Sequence, residues 1–151
     1  MSKSTNQKSK YQASKKTAKN SNYSTDKEKV VWCFDMIDRS GKFAFDLNRD
    51  DFNVKEVMSK MIDYNSMTWQ EVKKQTHDNK KSKHHPLPIE SLSTEAINRF
   101  KARHLDEHSD SVFSFALQNT LRIIGIRKGR HFHVIWYDPH HEVYPVGKKR
   151  T

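Results

Sequence analysis

Four histidines lie within eleven residues near the C-terminal end of the chain, in a stretch that otherwise has the composition of β-strands. They are His131, His133, His140 and His141, and Arg122 precedes them. An imidazole near its reference pKa of about 6.5 can take or give a proton at neutral pH, and a guanidinium can hold a phosphate with two hydrogen bonds. Metal-independent cleavage of RNA needs a base, an acid and a cation of these kinds. The stretch therefore indicates chemistry on a phosphodiester.

Two strands, over 121–127 and 131–137, are expected to form a hairpin whose turn is Lys128-Gly129, so that Arg127 pairs with Arg130. Alternation with a period of two then gives the hairpin a core face of Leu121, Ile123, Gly125, Phe132, Val134 and Trp136. The opposite face carries Arg122, Ile124, Ile126, His131, His133, Ile135 and Tyr137. Beyond the end of the second strand come His140, His141 and Tyr144.

This arrangement predicts a role for each polar side chain. We expect His133 and either His140 or His141 to transfer protons, Arg122 to hold the phosphate, and Tyr137 or Tyr144 to orient a base or a hydroxyl. No metal cofactor is expected. Further contacts to nucleic acid are expected from Arg127, Lys128, Arg130, His131, Lys148, Lys149, Arg150, His84 and His85. Arg127 is the weaker phosphate ligand, because the pairing above puts it on the core side near the hairpin tip.

Two other interpretations remain open. A basic sheet surface could bind nucleic acid or the ribosome without catalysis, and would then need no particular histidine. Zinc is the second alternative, because zinc uses ligands such as His131-x-His133 and the following Asp138, His140 and His141, although their spacing matches no established zinc motif. His84-His85 lies in the proline-containing segment KKSKHHPLP, which is expected to be a loop that either reaches the sheet or stays in solvent.

The positive charge of the chain is concentrated at its two ends. The net charge is +10, and residues 1–29 contain eight lysines but only two acids. Residues 121–151 contain seven basic and two acidic residues, whereas the segment between these ends is close to neutral. Residues 1–29 also contain almost no apolar side chains, which predicts a disordered basic tail before a single domain over 30–151. A field of this kind concentrates polyanions such as RNA.

The cysteine content and the hydropathy bear on the cellular compartment. Cys33 is the only cysteine, so no intramolecular disulfide can form, as is usual in a reducing cytosol. No apolar stretch approaches the ~20 residues of a membrane span, and no hydrophobic segment follows the N-terminal lysines as a secretory signal requires. We therefore expect a cytoplasmic protein.

The hydrophobic periodicity predicts the order of the elements that position these residues. A strand is expected over 30–38, a short return strand over 43–46, and helices over 51–65, from Thr68 to Thr76, and from Ser93 or Thr94 to His104. Strands over 111–117, 121–127 and 131–137 follow, with a fourth short strand near 142–144. This order predicts an α+β domain, a small antiparallel sheet with two or three helices packed on one face.

The C-terminal third resembles the sheet of the RelE/ParE superfamily of bacterial toxins. The residues that carry the resemblance are Leu121-Arg122-Ile123, the turn after them, the run Phe132-His133-Val134-Ile135-Trp136-Tyr137 and the basic C-terminal end. His133 stands where the family's strand has an arginine. The resemblance implies a bacterial or phage endoribonuclease that cuts messenger RNA, in many members on the ribosome, and that an antitoxin protein holds inactive. The whole chain also resembles a group of uncharacterised bacterial proteins, through HHPLP, LSTEAINRF and WYDPHHEVYP.

Overall fold

The computed structural model describes residues 25–145, in which five strands form one mixed sheet in the order β1-β5-β4-β3-β2. The strands are β1 Val31–Cys33, β2 His85–Pro88, β3 Ser111–Ala116, β4 Arg122–Lys128 and β5 His131–Asp138. The helices are α1 Val54–Asn65, α2 Trp69–Lys74 and α3 Thr94–Ala102, and three short 3₁₀ turns span Thr25–Lys27, Ile89–Ser91 and Leu105–Glu107. The predicted α+β class is confirmed. The sheet is not purely antiparallel, since β1 runs parallel to β5.

Each helix begins directly after a residue whose side chain caps it. The side chain of Asn53 accepts a hydrogen bond from the N–H of Glu56, and Thr68 forms a capping box with Glu71. Ser93 caps α3 by accepting from the N–H of Ala96. Helix α1 thus starts at Val54, three residues later than predicted, because Asn53 and neither Asp50 nor Asp51 provides the cap.

The helices cover both faces of the sheet. On the face that we call the α1/α2 face, helices α1 and α2 pack through Tyr64 and Trp69 on Phe113, Phe115 and Phe132. On the opposite face, the α3 face, Ala96 and Phe100 pack in a second cluster with Val112, Ile124 and Trp136. The prediction that the helices pack on one face is therefore corrected. A sheet buried on both faces needs nearly continuous apolar strands, as SVFSFA and RIIGI show.

A β-bulge changes the predicted faces of β5. Ile124 pairs with Trp136 but Gly125 pairs with Val134, so Ile135 is an extra residue in β5. A Cβ at position 125 would overlap the carbonyl oxygen of His133, so this close approach requires glycine. Alternation reverses beyond the bulge. Trp136 consequently lies on the α3 face and Tyr137 on the α1/α2 face, the opposite of the prediction.

The hairpin turn between β4 and β5 lies one residue later than predicted. Lys128 pairs with His131 and Arg127 with Phe132, so the two turn residues are Gly129 and Arg130. Gly129 has φ +62°, in the left-handed region that glycine enters without a steric cost.

Three other predicted elements differ in the structure. The strand predicted over 30–38 is limited to β1, and residues 43–46 contribute only an isolated bridge between Ala44 and Trp136. The predicted loop over 77–88 contains β2, which pairs antiparallel with β3. Strand β2 tolerates Pro86 and Pro88 because it lies at an edge of the sheet. Within 25–145 no strand forms near 142–144.

The segment 25–29, which belongs to the predicted tail, packs against the hairpin. Asp26 lies 2.7 Å from the guanidinium of Arg127 and 2.7 Å from the ammonium of Lys73. Residues 1–24 of the predicted tail, and the predicted nucleic-acid contacts Lys148, Lys149 and Arg150, lie outside the described residues. Over 25–145, no helix has the length and apolar composition needed to cross a membrane.

Candidate active site

A cleft of about 410 Å³ opens on the α3 face, beside Ile124 and Leu87. Four of the residues predicted from the sequence line it, and they come from three parts of the chain: His85 from β2, Arg122 from β4, and His141 and Tyr144 from the segment after β5. Other polar lining residues include Lys81, Lys83, Ser114 and Asp138. The pairing of β2 with β3 and of β4 with β5 brings these distant segments together.

Arg122 presents one edge of its guanidinium without a protein partner. Its Nη1 donates hydrogen bonds to the carbonyl oxygens of Asn119 at 2.7 Å and Leu121 at 3.0 Å. Among the described residues, Nε and Nη2 make no hydrogen bond, and no carboxylate lies within 4.0 Å of the guanidinium. Burial lowers the pKa of Arg122, but an arginine stays protonated at neutral pH. A partly desolvated cation with a free two-nitrogen edge is suited to a phosphate.

Asp138 fixes the segment that carries His141. Its carboxylate is 1% exposed and accepts hydrogen bonds from the backbone N–H groups of Glu142 at 2.9 Å and Val143 at 2.8 Å. Burial raises the pKa of Asp138, although these two hydrogen bonds favour its charged form. The carboxylate ties the turn back to the end of β5, where Asp138 pairs with Arg122 across the strands. Asp138 thus holds the turn that carries His141, which lines the same cleft as Arg122.

His141 combines two features that are unfavourable to folding. Its φ is +57°, a left-handed conformation that non-glycine residues seldom adopt. Its Nδ1 is buried and has no hydrogen-bond partner anywhere in the described part of the chain. Residues of this kind occur preferentially at functional sites, where a ligand or a reaction uses the strained or unpaired group.

His85 is held in the neutral form that a general base requires. It is partly buried at the edge of the cleft. Burial lowers the pKa of His85 below its usual value against the opposing effect of a hydrogen bond to the backbone of Ser82, and the positive charge of Arg122 also lowers it. His85 is therefore neutral at pH 7 and can accept a proton.

The other cations of the cleft are also unpaired. Neither Lys81 nor Lys83 has a carboxylate within 4.0 Å among residues 25–145. Elsewhere several basic side chains are paired with carboxylates, as in Arg99–Asp38, Arg127–Asp26 and Arg49–Asp51. Cations that converge on a cleft without acidic partners favour an anionic ligand. No role was predicted for these two lysines, because the segment around them was expected to be a loop with no fixed position, and Asp138 was suggested only as a ligand in the zinc alternative.

The structure removes three predicted residues from contact with nucleic acid. His84 is 2% exposed; its Nδ1 accepts from the N–H of Ala116 at 3.0 Å, and its Nε2 lies 2.6 Å from Oε1 of Gln75. Burial lowers the pKa of His84 to about 3. Tyr137 is 1% exposed, and its hydroxyl donates to the carbonyl of Asp51 and accepts from the N–H of Asn53.

Arg127 is the third of these residues. Its guanidinium stacks 4.2 Å from the ring centre of Trp69 and pairs with Asp26. Arg127 lies opposite Phe132 on the α1/α2 face, the core side of the hairpin on which the sequence pattern also places it. The three side chains therefore stabilise the fold, contrary to the predicted roles.

The remaining predicted residues lie outside the cleft. His133 shares the α3 face but lies five positions before Asp138 in β5, roughly 15 Å along the strand. Its Nδ1 lies 2.6 Å from Oδ1 of Asp35, and this hydrogen bond lowers the pKa of Asp35. Exposed positions are occupied by Lys128, Arg130 and His131 at the hairpin tip and by His140 after β5. None of these five predicted residues lines the cleft.

The residues of the zinc alternative do not form a ligand set. Among residues 25–145, no group of three or more His, Cys, Asp or Glu side chains is placed to hold a metal ion. His131 and His133 lie toward the hairpin end of β5, whereas Asp138, His140 and His141 lie at and beyond its other end.

Comparison with known proteins gives one match. The model of a protein family described as Uncharacterised protein UU032 matches residues 41–151, a segment that contains every residue of the cleft. No curated protein and no solved structure matches the chain. The resemblance to an uncharacterised group is thus supported, while the resemblance to RelE/ParE toxins is not confirmed. Because the match covers most of the sequence, the chain belongs to the family described as Uncharacterised protein UU032.

Proposed function

We propose that this protein is a metal-independent endoribonuclease whose reaction takes place in the cleft between β2, β4 and the segment after β5. The observation that carries the proposal is the unpaired Nε–Nη2 edge of Arg122 in a cleft that also contains His85 and His141. A phosphate on that edge would have an imidazole from each of two separate segments beside it. A base, an acid and a cation are what the cleavage of RNA requires.

In the proposed reaction, His85 removes the proton of a 2′-hydroxyl, and the resulting oxygen attacks the adjacent phosphorus. His85 suits this role because its lowered pKa keeps it neutral at pH 7. The bond from phosphorus to the 5′-oxygen breaks, and His141 gives its proton to that leaving oxygen. The products are a 2′,3′-cyclic phosphate and a free 5′-hydroxyl. All three groups that the reaction needs are side chains, so it requires no metal.

Arg122 stabilises the charge that develops on the non-bridging phosphate oxygens. Its Nη1 is already held by two carbonyl oxygens, so the guanidinium is oriented before the substrate binds. Tyr144 also lines the cleft and would orient the ribose or the base. Lys81 adds positive charge to the same surface.

A cytoplasmic messenger RNA, free or on the ribosome, is the substrate that fits this proposal. The basic ends of the chain, residues 1–29 and 121–151, would raise the concentration of such a polyanion around the protein. An antitoxin partner belongs to the proposal only through the resemblance to RelE/ParE toxins.

The alternative is a protein that binds RNA without cleaving it. The unpaired cations Lys81, Lys83 and Arg122 favour this function as much as the first, because they attract phosphate whether or not a bond breaks. The two functions differ in what they require of His141: cleavage needs its imidazole as an acid, whereas a surface that only binds RNA needs no particular histidine.

The chemistry of the products tests the proposal. Chelator-treated protein is incubated with a single-stranded RNA, and the new ends are identified by mass spectrometry. We expect 2′,3′-cyclic phosphate and 5′-hydroxyl ends, and no cleavage at a site where the ribose is replaced by 2′-deoxyribose. Cleavage of the deoxy-substituted site, or ends with a 5′-phosphate, would contradict the mechanism, and RNA that is retarded in a gel but intact would favour the alternative.

A further inference from the structure

The segment between α2 and β2 forms a small basic turn at one end of the cleft. Thr76 and Ser82 form an isolated β-bridge. The N–H of Lys83 donates to the carbonyl oxygen of Gln75 at 2.9 Å, and the N–H of His77 donates to the carbonyl oxygen of Lys81 at 2.9 Å. Lys80 takes a left-handed conformation at the tip, with φ +65°. The backbone of residues 75–83 is therefore closed on itself by its own hydrogen bonds.

A second depression, of about 500 Å³, lies on this turn and joins the cleft. Its lining residues are Thr76, His77, Asp78, Asn79 and Lys83. Three of them, His77, Asn79 and Lys83, also line the main cleft. The two depressions therefore lie side by side, and Lys83 borders both of them.

The chemistry of this second depression suits a phosphodiester strand. Lys83 is partly buried there and has no carboxylate within 4.0 Å in the part of the chain that the structure describes. The Oδ1 of Asn79 accepts from the N–H of Lys81, which leaves the amide Nδ2 of Asn79 as a donor. Among residues 25–145, Asp78 is the one acid that lines the depression, and its exposed carboxylate opposes an anion.

We infer that the second depression binds the phosphate next to the one that is cleaved, so that the substrate is an RNA strand with at least two consecutive phosphates. This inference rests on the proposed function for the identity of the first phosphate site. A dinucleotide with one phosphate would occupy the main cleft alone, whereas a trinucleotide would extend along the turn and place its second phosphate at Lys83. The protein would thus select oligonucleotides over dinucleotides by charge.

The test compares the affinities of two RNA oligomers that cannot be cleaved. Fluorescent 2′-O-methyl di- and trinucleotides, with one and two phosphates, are titrated with the full chain at low salt. We expect the trinucleotide to bind about tenfold more tightly to the wild-type protein, the worth of one charge-assisted hydrogen bond. This gain should shrink as the salt concentration rises, since it comes from a contact with a phosphate.

Two substitutions and a matched control locate the effect. Lys83→Met should remove the gain from the second phosphate, and Asp78→Asn, which removes the opposing charge, should increase it. Lys101→Met changes an exposed lysine on α3 that lines neither depression, and should leave the gain unchanged. Equal affinities for the two oligomers, no binding of either one, or a gain that neither Lys83→Met nor Asp78→Asn alters would overturn the inference.

The proposed function can fail separately from this inference. Tighter binding of the trinucleotide by a protein that leaves natural RNA intact would support the phosphate site and refute the ribonuclease. Cleavage of natural RNA by a protein that binds both oligomers equally would support the ribonuclease and refute the second phosphate site.

Discussion

Acidification should destabilise this protein through one buried histidine. The Nδ1 of His84 accepts a hydrogen bond from the N–H of Ala116, so its proton is on Nε2, which lies 2.6 Å from Oε1 of Gln75. A second proton on Nδ1 would break the bond from Ala116 and place a charge among Tyr64 and Phe115. Burial accordingly lowers the pKa of His84 from 6.5 to about 3.

The sign and size of the effect follow from these two pKa values. Because the folded-state pKa is the lower one, the unfolded chain binds more protons between pH 6.5 and pH 3. The contribution of His84 to the free energy of unfolding is therefore fully present above about pH 6.5 and is lost as the pH decreases through that window. Between pH 7 and pH 5 the loss from His84 amounts to about 2 kcal/mol, since each pH unit below 6.5 contributes about 1.4 kcal/mol.

Urea unfolding at pH 7 and pH 5 measures this loss. A His84→Asn variant retains an acceptor for the N–H of Ala116 but has no titrating group, so its stability should depend less on pH by about 2 kcal/mol over this interval. The control is His104→Asn, at a histidine whose side chain is 78% exposed and whose left-handed φ of +58° asparagine tolerates. If His84→Asn showed the same pH dependence as the wild-type protein, His84 would not be the buried neutral group described here.

Three further substitutions distinguish side chains that stabilise the fold from side chains that contribute to cleavage. Arg127→Met should lower the free energy of unfolding in urea by about 1–2 kcal/mol, because it removes a nearly buried ion pair and a cation–π contact, without changing RNA cleavage. His133→Ala should leave the cleavage rate unchanged, since the His133–Asp35 pair lies outside the cleft. A large loss of rate would show that His133 takes part in the reaction. Asp138→Asn should cost about 1–3 kcal/mol of stability and slow cleavage, because an amide cannot accept from both backbone N–H groups. An Asp138→Asn protein with wild-type cleavage would show that the turn does not position His141.

The local features of the fold were predictable from the sequence. The capping residues Thr68 and Ser93 can be recognised in the sequence, and α2 and α3 begin directly after them as expected. The hairpin was also found, but Lys128-Gly129 and Gly129-Arg130 both place the glycine in the turn, so the sequence could not fix the register. The bulge at Ile135 depends on the close approach of Gly125 to the backbone of β5, a contact that alternation alone does not reveal.

The residues of the candidate site were predictable only in part, since the expected proton-transfer residue His133 lies outside the cleft and Lys81 and Lys83 were not expected to line it. Arg122, His141, Tyr144 and His85 were singled out for their chemistry, and all four line the cleft. Their convergence depends on β2, whose prolines predicted a loop until the structure showed an edge strand paired with β3. The choice between the histidines was not visible in the sequence either, because it depends on burial: His84 and His85 are adjacent, yet one is enclosed and the other lines the cleft.

The measurement that tests the central claim most directly is the initial rate of cleavage of a single-stranded RNA by chelator-treated wild-type protein and by the variants Arg122→Met, His141→Ala and His104→Asn. We expect the first two variants to lose at least about 100-fold in rate, the usual effect of removing a proton-transfer group or a cation from such a site. His104→Asn should cleave as the wild-type protein does, and urea unfolding would show that all the variants are folded. A wild-type protein that binds the RNA without cutting it, or cleavage that survives both Arg122→Met and His141→Ala, would contradict the account.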